Sequence, residues 1–214
     1  MKTVPRFKTH ILAALIAASP LALSPFNTAI AQDRFADVEV KATAIKGSVH
    51  MLTGAGGNIG VSAGEDGVLI IDDQFAPLAG RIKDAIEALG ARVPKYLLNT
   101  HFHGDHTGGN ADFGAESLIV AHEKVGTRMA AGDAPAVALP VVTYDDDVSI
   151  HFNGEEITLI YMADGHTDTD SVVMFAGSNV IHMGDHFFNG GFPFVDLGNG
   201  GTVAGYIRNL EKAL

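Results

Sequence analysis

Four residues able to hold a metal ion stand within six positions: His101, His103, Asp105 and His106, in the run Thr-His-Phe-His-Gly-Asp-His at 100–106. Neutral imidazole suits zinc, copper or iron, and a carboxylate adds the negative charge that stabilises a divalent cation. On a non-helical loop, side chains at this spacing fan out and can surround two adjacent cations. Two further segments place a ligand-type residue just after an apolar run: Gly165-His166-Thr167-Asp168 and Gly184-Asp185. A histidine tract can also be an unspecific metal binder or an ordinary polar loop, but that reading requires four coincidences behind one buried strand. The chain contains no cysteine, so disulfides and thiolate ligands are excluded and metal chemistry must rest on His, Asp and Glu.

The elements that must position these residues are legible in the apolar pattern. Val38, Val40 and Ala42 alternate, Val49–Leu52 and Asn58–Val61 follow, and 37–63 reads as strands. Glu65-Asp66-Gly67 turns the chain into Val68-Leu69-Ile70-Ile71, a continuous apolar run expected to be a strand buried on both faces and ending in Asp72-Asp73. Leu78, Ile82, Ala85, Ile86 and Leu89 fall at helical spacing before Gly90. A strand over 95–99 then runs straight into His101, and a strand at 118–120 with a helix over 123–130 forms a second βα-like unit. After Pro135 and Pro140 the pattern changes to hairpins, with strands at 148–152, 157–161, 171–175 and 180–183. Thr202 caps a last helix that carries Val203, Tyr206, Ile207, Leu210 and Leu214. The expected class is α+β, an α/β layered fold with its sheets inside.

The bulk properties restrict the setting. At 214 residues and 47% hydrophobic, one domain with a substantial core is expected. Lys2, Arg6 and Lys8 precede a 13-residue apolar run, Ile11 to Leu23, and Ala29-Ile30-Ala31 is a small-x-small cleavage site. Residues 1–31 therefore read as a secretory signal peptide cleaved near Ala31, which places the 32–214 domain in the periplasm or the medium. The competing reading, a membrane anchor, needs about 20 apolar residues. Without the leader, 11 basic residues face 25 acidic ones. Such a charge repels phosphate backbones, so nucleic acid is a poor partner; solubility is the simplest explanation of the acidity. After leader removal no membrane partner is expected, and the expected partner is a small-molecule substrate.

The three motifs, Thr-His-Phe-His-Gly-Asp-His at 100–106, Gly-His-Thr at 165–167 and Gly-Asp at 184–185, resemble the signature series of the metallo-β-lactamase superfamily in order and rough spacing over residues 45–210. The resemblance implies an αββα sandwich with two zinc ions at one edge of the sheets, iron or manganese being the alternatives. It implies that His101, His103 and His166 hold the first metal, that Asp105 and His106 hold the second, and that Asp185 bridges the two or binds the second. It gives Asp72 the task of orienting the metal loop; a simple turn residue is the other reading. The commonest zinc β-lactamases have Cys where Asp185 stands and a non-ligand where His106 stands, so this chain is more similar to the glyoxalase II and lactonase branches. A β-lactamase branch with the Asp-His pattern also exists, and antibiotic hydrolysis stays open. The family supplies one more second-metal His near the C-terminus, whereas no His follows His186. The expectation is a domain lacking its C-terminal part, or a weakened second site.

The implied chemistry is hydrolysis. Water ionises with a pKa of about 15.7 and a bound metal can bring this to about 7, so a metal-held hydroxide can attack the carbonyl of an ester, lactone, thioester or lactam. Asp105 is the residue expected to orient the hydroxide and carry its proton. Two readings from other classes remain, a di-iron redox protein and a non-catalytic periplasmic metal-binding protein. Among the other histidines, His50, His151 and His182 lie in strand patterns and His122 ends one; all four read as surface or structural groups. His186, next to Asp185, is a candidate pocket residue. Phe187, Phe188, Phe192 and Phe194 could form an apolar wall, and Met51–Gly57 a flexible lid.

Overall fold

The computed structural model describes residues 34–214; the signal-peptide reading of 1–31 lies outside the described residues. A seven-stranded sheet runs in strand order β1 to β7: Lys41–Lys46, Val49–Thr53, Ile59–Gly64, Gly67–Ile71, Tyr96–Asn99, Leu118–His122 and Val142–Tyr144. The first four strands pair antiparallel and β4 to β7 pair parallel. A second, antiparallel sheet follows the order β11-β10-β9-β8, from Val180–His182, Ser171–Phe175, Glu155–Tyr161 and Asp147–Phe152. No helix among the described residues is long and apolar enough to cross a membrane.

The side-chain alternation of β4 explains the layering. Val68, Leu69, Ile70 and Ile71 are all fully buried, as a doubly covered strand requires. Val68 and Ile70 face outwards onto α1 (Ala79–Glu87), where they meet Leu78, Ile82 and Ile86. Leu69 and Ile71 face inwards with Val49, Leu98 and Val120 onto Phe152, Ile157, Leu159, Val173 and Phe175 of the second sheet. A third cluster seats Val125 and Met129 of α4 (Glu123–Ala131) on Ala121 of β6. On the far side, α5 (Val203–Ala213) lies against the chain leaving β9: Asn209 Nδ2 donates to Ala163 O and Lys212 Nζ to Tyr161 O. The result is the αββα arrangement.

Three local readings are corrected. Val38 and Val40 pack on the core ahead of β1, whose six residues, at the edge of the sheet, are all exposed. β7 at 142–144 was not foreseen; it is three residues long and two of them are exposed. In α5 the buried residues are Gly205, Tyr206 and Asn209, while Val203 and Ile207 are more than half exposed. The Thr202 cap is present, its hydroxyl accepting from Gly205 N at 2.9 Å.

Candidate metal centre

The parallel strands deliver the site. β4 and β5 end side by side at Asp72 and at Thr100-His101, on the carboxyl edge where layered α/β folds build sites. The chain does not continue as an irregular loop after His103, as the sequence suggested. His106 N and Thr107 N both donate to His103 O at 3.0 Å, opening a helical turn, α2 (Gly104–Thr107), which a second short turn, α3 (Asn110–Phe113), follows. Asp105 and His106 therefore project from a turn of helix. The β9–β10 connection brings His166, and the turn after β11 brings Asp185.

Each imidazole is committed at one ring nitrogen. His101 Nδ1 pairs with Thr100 Oγ1 at 3.0 Å, and that hydroxyl gives its own proton to Asp72 Oδ2 at 2.8 Å, so Nδ1–H is the donor. His166 Nδ1–H donates to Phe194 O at 2.8 Å, His103 Nε2–H to Asp196 Oδ2 at 3.0 Å, and His106 Nδ1–H to Asp72 Oδ2 at 2.8 Å. The opposite nitrogens converge. His103 Nδ1 is 3.1 Å from His101 Nε2 and 3.0 Å from His166 Nε2. With the outer nitrogens protonated, these three atoms present lone pairs to one another, an arrangement that a cation relieves. Nitrogens bound tetrahedrally to zinc at about 2.0–2.1 Å would lie roughly 3.3 Å apart, close to the observed spacing.

A second group joins His106 Nε2 and Asp185 to His101, with ligand atoms within 4.8 Å of one another. His106 Nε2 is buried with no hydrogen-bond partner of good geometry, an orphaned atom facing Asp185 Oδ1 at 3.2 Å and Asp105 Oδ2 at 3.6 Å. The other oxygen of Asp185 is 3.4 Å from His166 Nε2, so this carboxylate reaches both groups. Asp105 stands at the rim, its side chain 36% exposed against 19% for Asp185. The donor set, three imidazoles beside an imidazole and two carboxylates, suits borderline divalent ions such as zinc.

The electrostatics carry the same demand for positive charge. Burial, reinforced by the neighbouring rings, holds His101 well below the usual imidazole range, and burial lowers His166. These rings are neutral, as ligands must be. For His106, burial works against protonation but the Asp72 and Asp185 carboxylates outweigh it and push the ring well above its ordinary value. Burial would raise Asp185; the close approach of the His106 ring and that ring's charge reverse this and lower it.

Asp72 hydrogen-bonds to Thr100 and His106 of the 100–106 segment. Its Oδ1 accepts from Thr100 N at 2.8 Å, and Oδ2 serves both Thr100 Oγ1 and His106 Nδ1. Its left-handed φ of 64° turns the chain at the end of β4. The aromatic wall is divided. Phe187 and Phe188 line a cavity of about 570 Å³ that opens on Asp105, His106 and Asp185, and Ile45, Val49 and Met51 belong to the same lining. Phe192 is outside that lining and 97% exposed; Phe194 contributes its carbonyl to His166. His186 is corrected. It is buried behind the site, stacked on Tyr206 and 3.1 Å from Asn209 Nδ2, and does not line the cavity. His182, read as a surface or core group, does border the cavity, with Nε2 donating to Asn58 O at 3.1 Å.

The loop at 54–57 is fastened to Gln74. Gln74 Nε2 donates to Gly57 O at 2.6 Å and Gln74 Oε1 accepts from Ala55 N at 3.2 Å. A Cβ at Gly57 would come within 2.6 Å of His106 Cε1, so only glycine lets the backbone approach that ring. Sequence reading missed Gln74, Thr100 and Asp196. It also missed Asn99 and Asn110, whose paired amides brace the strand end beneath His106. Asp72-Asp73-Gln74, just past a buried strand, is the one local signal that could have pointed to Gln74.

Comparisons with known proteins agree with this geometry. The family model described as the metallo-beta-lactamase superfamily matches residues 52–214. A hydroxyacylglutathione hydrolase of Rhodospirillum rubrum is 32% identical over 134 residues, covering 63% of this chain and 49% of that protein. The alpha subunit of a 2,4-dinitroanisole O-demethylase from Nocardioides sp. is 29% identical over 135 residues, covering 59% of this chain and 40% of that one. The chain thus spans about half the length of the curated relatives it matches. Among solved structures, BJP-1, a subclass B3 metallo-beta-lactamase of Bradyrhizobium japonicum, superposes with a TM-score of 0.65 at 21% identity, covering 82% of this chain and 74% of that one. A metallo-beta-lactamase from Pontibacter korlensis gives 0.66 at 17% identity, covering 82% and 85%. A match running from the end of β2 to the last residue of the chain makes it a member of the metallo-beta-lactamase superfamily.

Proposed function

We propose that this protein is a metal-dependent hydrolase that cleaves a carbonyl-centred bond in a small molecule and works with two zinc ions. The observation that carries the reading is the convergence of singly committed imidazoles: His101 Nε2, His103 Nδ1 and His166 Nε2 turn inwards while their other nitrogens are held from behind. In this reading those three hold one cation, Asp105 and His106 hold the other, and Asp185 spans both. A divalent ion, when bound, supplies acidification of water towards a pKa of about 7 and positive charge for a developing oxyanion.

The chain's own residues do the rest. Asp105, the more open carboxylate, faces the cavity and is placed to take a proton from the attacking water and return it to the leaving group. Asp72 keeps His106 in the Nδ1–H tautomer, so Nε2 faces the site. Phe187, Phe188, Ile45, Val49 and Met51 give the cavity an apolar wall suited to an acyl arm. An ester or lactone with an apolar acyl chain fits that lining best. The similarity to a hydroxyacylglutathione hydrolase supports acyl transfer to water and keeps thioesters in the group to be tried.

The test is turnover of chromogenic lactones, esters, thioesters and cephalosporins by zinc-loaded protein, with an Asp105→Asn variant beside it. Hydrolysis of an apolar ester or lactone that is lost in the variant is expected. No turnover of any member by protein carrying two zinc ions would leave a metal-binding protein without this activity. We propose in addition that the protein is exported and cleaved near Ala31; N-terminal sequencing of the mature protein checks this.

A further inference from the structure

The contacts behind the metal-facing rings include a chain that the hydrolytic chemistry does not use. Arg128, on α4, directs its guanidinium into the junction of three loops. Nε and Nη2 donate to the two carboxylate oxygens of Asp168 at 2.6 and 2.9 Å, two residues beyond His166. Nη1 donates to Asn199 Oδ1 at 3.0 Å. Asn199 Nδ2 donates onward to Asp196 Oδ2 at 2.6 Å, the same oxygen that accepts from His103 Nε2. The guanidinium carbon also lies 5.0 Å from the centroid of Phe102, the residue between His101 and His103.

The loop that carries Asp196 is fastened to the His166 loop along its backbone. Asp196 N donates to His166 O at 2.8 Å and Asp168 N to Asn199 O at 3.0 Å. Gly200, with φ of 82°, lies so close that a Cβ there would come 2.8 Å from Asp168 Cβ. Among the three rings of the first group, His103 is the least enclosed, its side chain 21% exposed against 1% for His166. Packing alone therefore holds it least, and the hydrogen bond to Asp196 decides which of its nitrogens faces inwards.

We propose that Arg128, Asn199 and Asp196 form a positioning relay for the first metal site. Asp196 fixes His103 as the Nε2–H tautomer and leaves Nδ1 bare. Arg128 fixes Asp196 through Asn199 and the His166 loop through Asp168. The physical basis is general: a ligating imidazole needs its other N–H anchored, and only a planar guanidinium can serve a carboxylate bidentately while holding a third acceptor. The relay rests on the reading of His101, His103 and His166 as a metal site. Arg128 and Asp196 are positioning residues, not catalytic ones.

The test is zinc affinity by competition with a chromophoric chelator, with 15N ring spectra of the histidines in zinc-free protein. Asp196→Ala is expected to weaken zinc at the His101, His103 and His166 site by roughly 10- to 100-fold and to abolish the Nε2–H signature of His103. Arg128→Ala should weaken zinc by a smaller factor. Arg128→Lys should fail to restore it, because one ammonium cannot satisfy Asp168 and Asn199 together. Circular dichroism of the zinc-free variants checks the fold. If Arg128→Ala does not fold, Asn199→Ala cuts only the middle link and carries the test. Unchanged zinc affinity in folded Asp196→Ala, or an unchanged His103 tautomer, overturns the relay while leaving the metal site in place. Wild-type protein that takes up no zinc overturns both.

Discussion

The decisive chemistry at the scale of single residues is which nitrogen of each imidazole is already spoken for. His103 supplies the atom common to two of the short inward contacts, so His103→Ala should lose first-site metal and hydrolysis together, read by metal content and turnover of the purified variant. Metal-free His103→Ala protein with full activity would contradict this. His106 gives a pH signature. Asp72 and Asp185 raise its affinity for a proton, so a divalent ion must displace that proton. Zinc uptake near neutral pH should release protons, measurable by titration in buffers of different ionisation enthalpy, and affinity should fall with pH. Asp72 anchors three donors within the buried strand end. Asp72→Ala leaves Thr100 N and His106 Nδ1 without acceptors and should cost about 3–5 kcal/mol in urea unfolding of the zinc-free protein. His122 offers a check away from the metals. Its Nδ1 accepts from Lys124 N at the start of α4 and Nε2 donates to Asp145 O, so only the neutral ring fits. Burial lowers its pKa. The cap's contribution is therefore complete above the unfolded-state value of about 6.5 and lost as pH falls through the lower folded-state value. An NMR titration should find His122 protonating below 6.5, with destabilisation following it.

For the elements, legibility followed periodicity and length. β4 was readable because a four-residue apolar run after a turn leaves few alternatives, β5 because Tyr96-Leu97-Leu98 follows Pro94, and α1 because five apolar residues fell on one face. β7 was not readable: three residues with two exposed give no pattern. The helical turn after His103 was missed because four residues beginning with Gly carry no helical period. The candidate ligands were recognisable from local spacing and resemblance, and the structure gathers His101, His103, His106, His166 and Asp185 into two overlapping groups, with Asp105 outside both at the rim. Their supports were not recognisable. Asp196 is 93 residues from His103 in sequence, and only the fold makes them neighbours. The loop at 54–57 illustrates the same point, since its glycines suggested mobility while Gln74 ties it down. Gly57→Ala should force His106 from its place and weaken second-site metal, read by zinc stoichiometry, with near-normal first-site binding.

For the whole molecule, two sheets end at one edge, and loops from both supply the inward-facing groups. Metal should therefore fasten the layers together and stabilise the fold by mass action, by about 2.7 kcal/mol when free zinc is a hundred times its Kd. The thermal midpoint should rise with zinc and fall back on chelation. The most direct measurement is anomalous scattering at the zinc edge from crystals of the zinc-loaded protein. The geometry described here predicts a peak within coordination distance of His101 Nε2, His103 Nδ1 and His166 Nε2, and a second beside His106 Nε2 and Asp185. Zinc bound only elsewhere on the surface, with His166 or Asp185 turned away from the 101–106 cluster, would contradict it.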